Sequence, residues 1–170
     1  MKNTTSVPEF EPRSGNDILN RIRAIIDEGL PYIVAVQKGF RLNGPQDYVN
    51  ESIVGFACME DFCASNSMYR FTFELECYVH PNFLRQNIAK CLLDRLLEMV
   101  NTSYPAKGGY VWKNDGDYLR HGCARVVKVV NCNVPHDAAD DMAWMTDFLR
   151  KFNFRKAGHL HKMGYKFGKV

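Results

Sequence analysis

The stretch from Met68 to Val100 constrains the fold of this chain most, because one long strand leads directly into one long helix there. Between Met68 and Val79 apolar and polar residues alternate, which predicts a strand with one buried face. Pro81 cannot donate to a strand ladder, so it ends this strand. From Arg85 to Val100 apolar residues recur at helical spacing, which predicts an amphipathic helix. A strand followed closely by such a helix is typical of α/β proteins.

The other segments continue this mixed pattern. We predict a first helix that is capped by Asn16 and ended by Gly29 and Pro31. The further strands are predicted at 32–36, 53–59, 124–130 and 154–161, and the last helix is predicted from Asp137 or Asp140 to Asn153. The strand at 32–36 is almost entirely apolar, which is typical of a strand covered on both faces. The order predicts a single domain over residues 1–170, with a mixed sheet and helices on its faces.

Composition excludes several classes of protein. No apolar run approaches the roughly 20 residues of a membrane-spanning helix, and the first residues lack the apolar core of a signal peptide. A net charge of +3, scattered along the chain, does not favour nucleic acid as a partner. Six cysteines without CxxC pairs predict reduced thiols in a cytoplasmic protein, with a nuclear location as the alternative. The five histidines have no metal-ligand spacing.

The junction between the long strand and its helix is the strongest candidate for a binding site. Main-chain amides at a helix start, with the helix dipole behind them, favour a phosphate or pyrophosphate group. Arg85 and Lys90 add positive charge at this point. Spacing alone also allows an ordinary turn between a strand and a helix.

The residues around this junction resemble a known superfamily. The segment ELECYVHPNFLRQNIAKCLL (74–93) is similar to the acetyl-CoA signature of the GNAT N-acetyltransferases, a strand, then (Arg/Gln)-x-x-Gly-x-(Gly/Ala), then a helix. The segments at 29–36, 54–59, 69–81 and 152–169 resemble the phosphinothricin-acetyltransferase-like branch in particular. The sequence departs from the signature at Leu84, which replaces Arg or Gln, and at Asn87, which replaces Gly. Because Asn tolerates a left-handed backbone, we expect the turn to survive.

The resemblance implies a GNAT-like fold, with a mostly antiparallel central sheet and helices on both faces. It also implies that the first strand and helix and the last strand of the family lie outside this chain. Two explanations stay open: a truncated family member, or a homodimer in which the partner completes the sheet.

The resemblance also implies an active site and its residues. Glu74 aligns with the branch's general base, and Glu76 points the same way from the same strand. Tyr165 and Tyr78 are candidates for the acid that protonates the departing thiolate, and Asn131 and Asn133 for contacts near the thioester. The residues expected to bind acetyl-CoA are Cys77, Tyr78, Val79, Arg85, Gln86, Asn87, Ile88, Ala89 and Lys90.

The function implied is N-acetylation of a small-molecule or amino-acid-like amine, with acetyl-CoA as cosubstrate. The long segment at 101–122 is expected to cover the acceptor site. Two alternatives stay open at this stage: a protein or peptide N-acetyltransferase, and a non-catalytic acyl-CoA-binding module.

Overall fold

The computed structural model describes residues 11, 13–37, 51–64, 66–114, 123–137, 142–161 and 164. The chain divides into two compact units, one of Leu19–Cys132 and one of Met1–Ile18 with Asn133–Val170. Within the described residues, no helix has both the length and the apolar character needed to cross a membrane.

The first helix, α1, runs from Gly15 to Asp27. Its N-terminus is capped by Ser14, whose hydroxyl accepts a hydrogen bond from the Asp17 amide at 3.2 Å. The Asp17 carboxylate in turn accepts hydrogen bonds from the amide and the hydroxyl of Ser14. The prediction of Asn16 as the cap was therefore wrong, because the capping residue is Ser14, two residues earlier. Gly29 ends the segment in a left-handed conformation, as predicted.

Among the described residues, four strands form one sheet in the order β1-β2-β3-β4. Their bounds are β1 Tyr32–Gln37, β2 Ser52–Asp61, β3 Thr72–Val79 and β4 Val129–Asn131. The pairs β1–β2 and β2–β3 are antiparallel, and only β3–β4 is parallel. The predicted mixed, mostly antiparallel sheet is confirmed.

Several details of the predicted strands were wrong. β3 begins at Thr72 rather than Met68, because residues 66–71 form turns. β4 covers only Val129–Asn131 instead of 124–130. β1 lies at the edge of the described sheet, and Val34 and Val36 are exposed, so it is not covered on both faces. An apolar run alone cannot distinguish a central strand from an edge strand.

The second helix, α2, spans Ile88–Val100 and packs on one face of the sheet. Gly55 of β2 permits this close approach, because a Cβ there would lie 2.8 Å from the Tyr78 carbonyl oxygen and 3.3 Å from a side-chain carbon of Ile88 and of Leu92. The apolar core between helix and sheet includes Ala57, Met59, Phe73, Leu75, Leu92, Leu93 and Leu96. This packing fixes the start of α2 against the end of β3.

The segment after α2 is organised by one buried carboxylate. Asp94, in the middle of α2, is only 1% exposed. It accepts hydrogen bonds from the amides of Lys107 and Gly108 and from the hydroxyls of Tyr104 and Tyr110, all at 2.9–3.1 Å. Burial alone would raise the pKa of Asp94, but these hydrogen bonds outweigh burial and hold it below its usual value. The described part of the predicted excursion is thus an ordered loop.

In the unit that contains the C-terminal part of the chain, the part that the structure describes includes helix α3 at Ala143–Arg150. It starts later than the predicted Asp137 or Asp140. Asn153 adopts a left-handed conformation after it, in agreement with its predicted role as a stop. The predicted strand at 154–161 is absent, since these described residues have no strand conformation.

Candidate functional site

The turn between β3 and α2 contains two residues with a left-handed backbone. A short 3-10 helix, Pro81–Phe83, follows β3. Arg85 and Asn87 then adopt left-handed conformations, with φ of 62° and 63°. Only glycine, and less often Asn or Asp, visits this region at low cost. Asn87 therefore takes the backbone conformation expected at the glycine position of the signature.

The first turn of α2 presents main-chain amides without helical partners. Its first internal bond runs from the Cys91 amide to the Asn87 carbonyl at 3.0 Å, so the amides of Ile88, Ala89 and Lys90 precede the helical ladder. Asn87 makes no side-chain cap bond among the described residues. Arg85, Gln86 and Lys90 are exposed beside these amides. Free amides and cations at one exposed helix start fit an anionic group such as a diphosphate.

The second half of β3 presents one edge that β4 does not cover. Within the described residues, β4 pairs with β3 only at Thr72–Glu74. His80 donates its amide to the Val54 carbonyl of β2 at 2.8 Å, and alternate residues before it bond to β2 in the same way. The main chains of Cys77 and Val79 therefore face the other edge. An extended chain with amide groups, such as pantetheine, matches a strand edge of this kind.

Tyr78 lies between these two residues, and its main chain pairs with Phe56 of β2. Its side chain projects from the face opposite α2, where its ring contacts the Phe56 ring at 5.2 Å between centroids. The structure thus brings together all nine predicted cofactor residues along one strand end, turn and helix start. Their contacts with acetyl-CoA stay predictions.

Glu74 lies where β3 and β4 stop pairing. It is half-buried and stands in register with Glu60 of β2 on one side and with Asn131 of β4 on the other. Asn131, another predicted site residue, is therefore next to the predicted base. Glu76 projects from the same face, but its carboxylate is bound to the Arg21 guanidinium at 2.7 Å. Arg21 also binds Glu60, so one guanidinium forms ion pairs with two carboxylates.

Sequence reasoning missed Arg21 and Cys132. Arg21 lies on α1, and only its position in the helix places it over the face of Glu60 and Glu76. Cys132 directly follows β4, and its thiol has a pKa raised to about 11 by burial and by the negative charge of Glu74. Burial and Cys132 likewise raise the pKa of Cys77 to about 12. Neither effect has a signal in the sequence, because both depend on pairing between distant segments.

The two remaining predicted site residues are not part of this group. Tyr165 lies outside the described residues. Asn133 belongs to the other compact unit. All six cysteines are described, and the structure contains no disulfide between them.

Comparison with known proteins adds to this geometry. No protein-family model and no curated protein matches the sequence. Solved structures do match it. An N-acetyltransferase from Staphylococcus aureus Mu50 is 26% identical, with a TM-score of 0.62, and the match covers 97% of this chain and 76% of that one. A ribosomal-protein-alanine N-acetyltransferase from Brucella melitensis is 22% identical, with a TM-score of 0.69 over 98% of this chain and 79% of that one.

A third match is yncA from Salmonella typhimurium, solved with its cofactor acetyl-CoA; it is 19% identical, with a TM-score of 0.65 over 98% of this chain and 74% of that one. The chain has the GNAT fold. The predicted fold is therefore confirmed, and these neighbours support acetyl transfer as the chemistry of an enzyme that uses acetyl-CoA.

Proposed function

We propose that this chain is an acetyl-CoA-dependent N-acetyltransferase of the phosphinothricin-acetyltransferase-like branch, and that it acetylates the amine of a small acceptor. The observation that carries the proposal is the turn at Arg85–Asn87, where a left-handed Asn precedes a helix whose first amides have no helical partners. Acetyl-CoA would bind with its diphosphate at Arg85–Lys90 and its pantetheine along Cys77 and Val79.

The reaction proposed is direct transfer. When bound, acetyl-CoA supplies an acetyl thioester, whose carbonyl carbon is attacked by the neutral amine of the acceptor. A C–N bond forms, the C–S bond breaks, and the thiolate leaves and takes up a proton. Glu74 would accept the proton that the amine loses. Tyr165 and Tyr78 are proposed as alternative donors of the proton to the thiolate.

Two variants of Asn87 test the cofactor site. Asn87→Gly keeps access to the left-handed region, so we expect acetyl-CoA to bind at least as tightly as it binds the unaltered protein. Asn87→Val places a β-branched residue there, at a cost of roughly 1–2 kcal/mol or more, and should abolish the turn and weaken binding. At a hundred times its Kd, acetyl-CoA should stabilise the unaltered protein by about 2.7 kcal/mol in a thermal-shift assay.

Asn153→Val is the matched control, because Asn153 has the same left-handed backbone, with φ of 66°, in the other compact unit. It should lower thermal stability without lowering the shift that acetyl-CoA produces. If the unaltered protein gives no shift with acetyl-CoA, the proposed function is refuted. If Asn87→Val binds acetyl-CoA normally, the turn is not the diphosphate site.

Glu74→Gln tests the proposed base. General-base catalysis contributes roughly 10²–10⁴-fold, so we expect kcat to fall at least tenfold while the thermal shift with acetyl-CoA is kept. The control is Glu51→Gln, an exposed carboxylate outside the site. An unchanged kcat in Glu74→Gln would exclude Glu74 as the base.

The acceptor is tested by measuring thiol release with small amines and with peptides. Turnover of peptides alone would support the alternative of a protein or peptide N-acetyltransferase. Binding of acetyl-CoA without any turnover would support a non-catalytic acyl-CoA-binding module. The proposed cytoplasmic location and the proposed homodimer are tested separately, by microscopy of a tagged chain and by light scattering.

A further inference from the structure

Three histidine side chains lie together in the compact unit that contains Asn133–Val170. The ring centroids of His136 and His159 are 5.1 Å apart, and those of His159 and His161 are 4.2 Å apart. His136 is half-buried, whereas His159 and His161 are exposed. We call these three residues the histidine cluster. Because it combines two segments that are distant in the sequence, the spacing of histidines along the chain does not reveal it.

The ring separations are close to those around a bound zinc ion. Tetrahedral zinc with Zn–N bonds of about 2.0–2.1 Å holds the centres of two imidazole rings roughly 5 Å apart, since each ring centre lies about 1 Å beyond its ligating nitrogen. His136 and His159 already have this separation. The rings of His159 and His161 would have to move apart by roughly 1 Å to reach it. Exposed side chains make such movements by ordinary rotamer changes.

The hydrogen bond of His136 leaves one ring nitrogen available to a metal ion. Its Nδ1 lies 3.0 Å from the main-chain carbonyl oxygen of Asp137. A carbonyl oxygen can only accept, so Nδ1 carries the proton and donates it, and Nε2 is the unprotonated nitrogen. Histidines that bind metals nearly always donate the other ring N–H in this way, to a carbonyl, a carboxylate or water. The hydrogen bond therefore supports a ligand role for His136 independently of the ring separations.

A second group of metal-binding residue types differs from the histidine cluster. Among the described residues, Cys58, Glu60 and Glu76 have ligand atoms within 4.8 Å of one another, which the nitrogens of the three histidines reach only after their rings turn. The guanidinium of Arg21 already binds both of these carboxylates. Burial and nearby negative charge also raise the pKa of the Cys58 thiol to about 12. A metal ion there would have to displace a cation and deprotonate a buried thiol.

We propose that the histidine cluster binds one divalent transition-metal ion such as zinc. Imidazole nitrogens suit zinc, copper and nickel, whereas magnesium and calcium prefer oxygen ligands. Three imidazoles leave a fourth position on tetrahedral zinc, which water or another ligand takes. The ion would link the segment that follows β4 to the segment that follows α3. This site does not depend on the proposed acetyl transfer, so either can fail without the other.

Titration calorimetry of the chain without a histidine tag tests the proposal. We expect one Zn²⁺ ion per chain and no binding of Mg²⁺ at the same concentrations. His136→Gln, His159→Gln and His161→Gln should each weaken zinc binding at least about tenfold, since loss of even a second-shell partner costs about 10–100-fold in affinity. The matched control is His80→Gln, a described histidine outside the cluster, which should leave the affinity unchanged. Absence of zinc binding by the folded chain, or equal weakening in the control, overturns the proposal.

Two further measurements locate the ion. Glu60→Gln removes a ligand from the group of Cys58, Glu60 and Glu76 and should not change the affinity for zinc. If it weakens binding while the three histidine variants do not, the ion occupies that group and the proposal is wrong. Nitrogen NMR of the imidazole rings should show that zinc shifts Nε2 of His136 and that Nδ1 keeps its proton. Coordination through Nδ1, or no shift at His136, would contradict the assigned ligand.

Discussion

Replacing Asp94 by Asn should destabilise the chain by an amount that its hydrogen bonds allow us to work out. Four donors converge on the carboxylate: the Lys107 and Gly108 amides and the Tyr104 and Tyr110 hydroxyls. An amide of the same shape can keep its oxygen toward three of them, and the fourth, a hydroxyl, can rotate to accept from the new NH₂ group. The main loss in Asp94→Asn is therefore the negative charge that strengthens these four hydrogen bonds. Hydrogen bonds to charged groups contribute about 1 kcal/mol more than neutral ones, and relief of desolvation offsets part of this, which leaves a loss of about 2–3 kcal/mol.

Unfolding in urea, followed by circular dichroism, measures this loss. A shift of about 2–3 kcal/mol corresponds to a lower Tm by roughly 5–10 °C for a chain of this size. Asp94→Ala should cost more, because it removes the acceptor of all four of these hydrogen-bond donors. The control is Asp147→Asn, whose ion pair with Arg150 is 67% exposed on both sides and should contribute less than about 1 kcal/mol.

The effect of pH has a definite sign. The folded-state pKa of Asp94 lies below its ordinary value of 3.8. The stabilisation by the ionised carboxylate is therefore fully present above about pH 5 and is lost as the pH falls through the folded-state pKa. The difference between the unaltered chain and Asp94→Asn should be largest near neutral pH and shrink below pH 4. A loss under about 0.5 kcal/mol, or a difference independent of pH, would refute the role assigned to the charge.

Two further predictions concern packing and thiol chemistry. Gly55→Ala should destabilise the fold by about 1–3 kcal/mol, since the added methyl group would press on the Tyr78 carbonyl and on α2, and should weaken acetyl-CoA binding. Urea unfolding measures the first effect, and Gly158→Ala, which meets no atom within 4 Å, should be neutral; equal effects would contradict the packing role. In timed alkylation with iodoacetamide at pH 7.5, mass spectrometry should find exposed Cys63 modified well before Cys58, which is buried and has a pKa raised to about 12. Equal labelling rates would contradict this burial.

The sequence predicts this fold well where the signal is local. The alternation in β3 and the apolar stripe of α2 identify both elements, and Gly29 and Asn153 mark the ends of helical segments because each needs a left-handed backbone. The errors arise where the structure depends on which strands pair with each other. β4 has only three residues because it pairs with β3 only from Thr72 to Glu74. The edge position of β1 likewise depends on which strands pair, which no run of apolar residues encodes.

The candidate site shows the same division between local and distant signals. Asn87 could be assigned from sequence because the left-handed turn is a property of a few neighbouring residues. Arg21 could not, because its role depends on a helix and two strands that meet only in the folded chain. In the proposed function the turn at Asn87 would bind the diphosphate of acetyl-CoA, a group that is the same whatever the acceptor is. Motif comparison is therefore informative about the proposed cosubstrate site, whereas a cluster such as Arg21 with Glu60 and Glu76 becomes visible only in the folded chain.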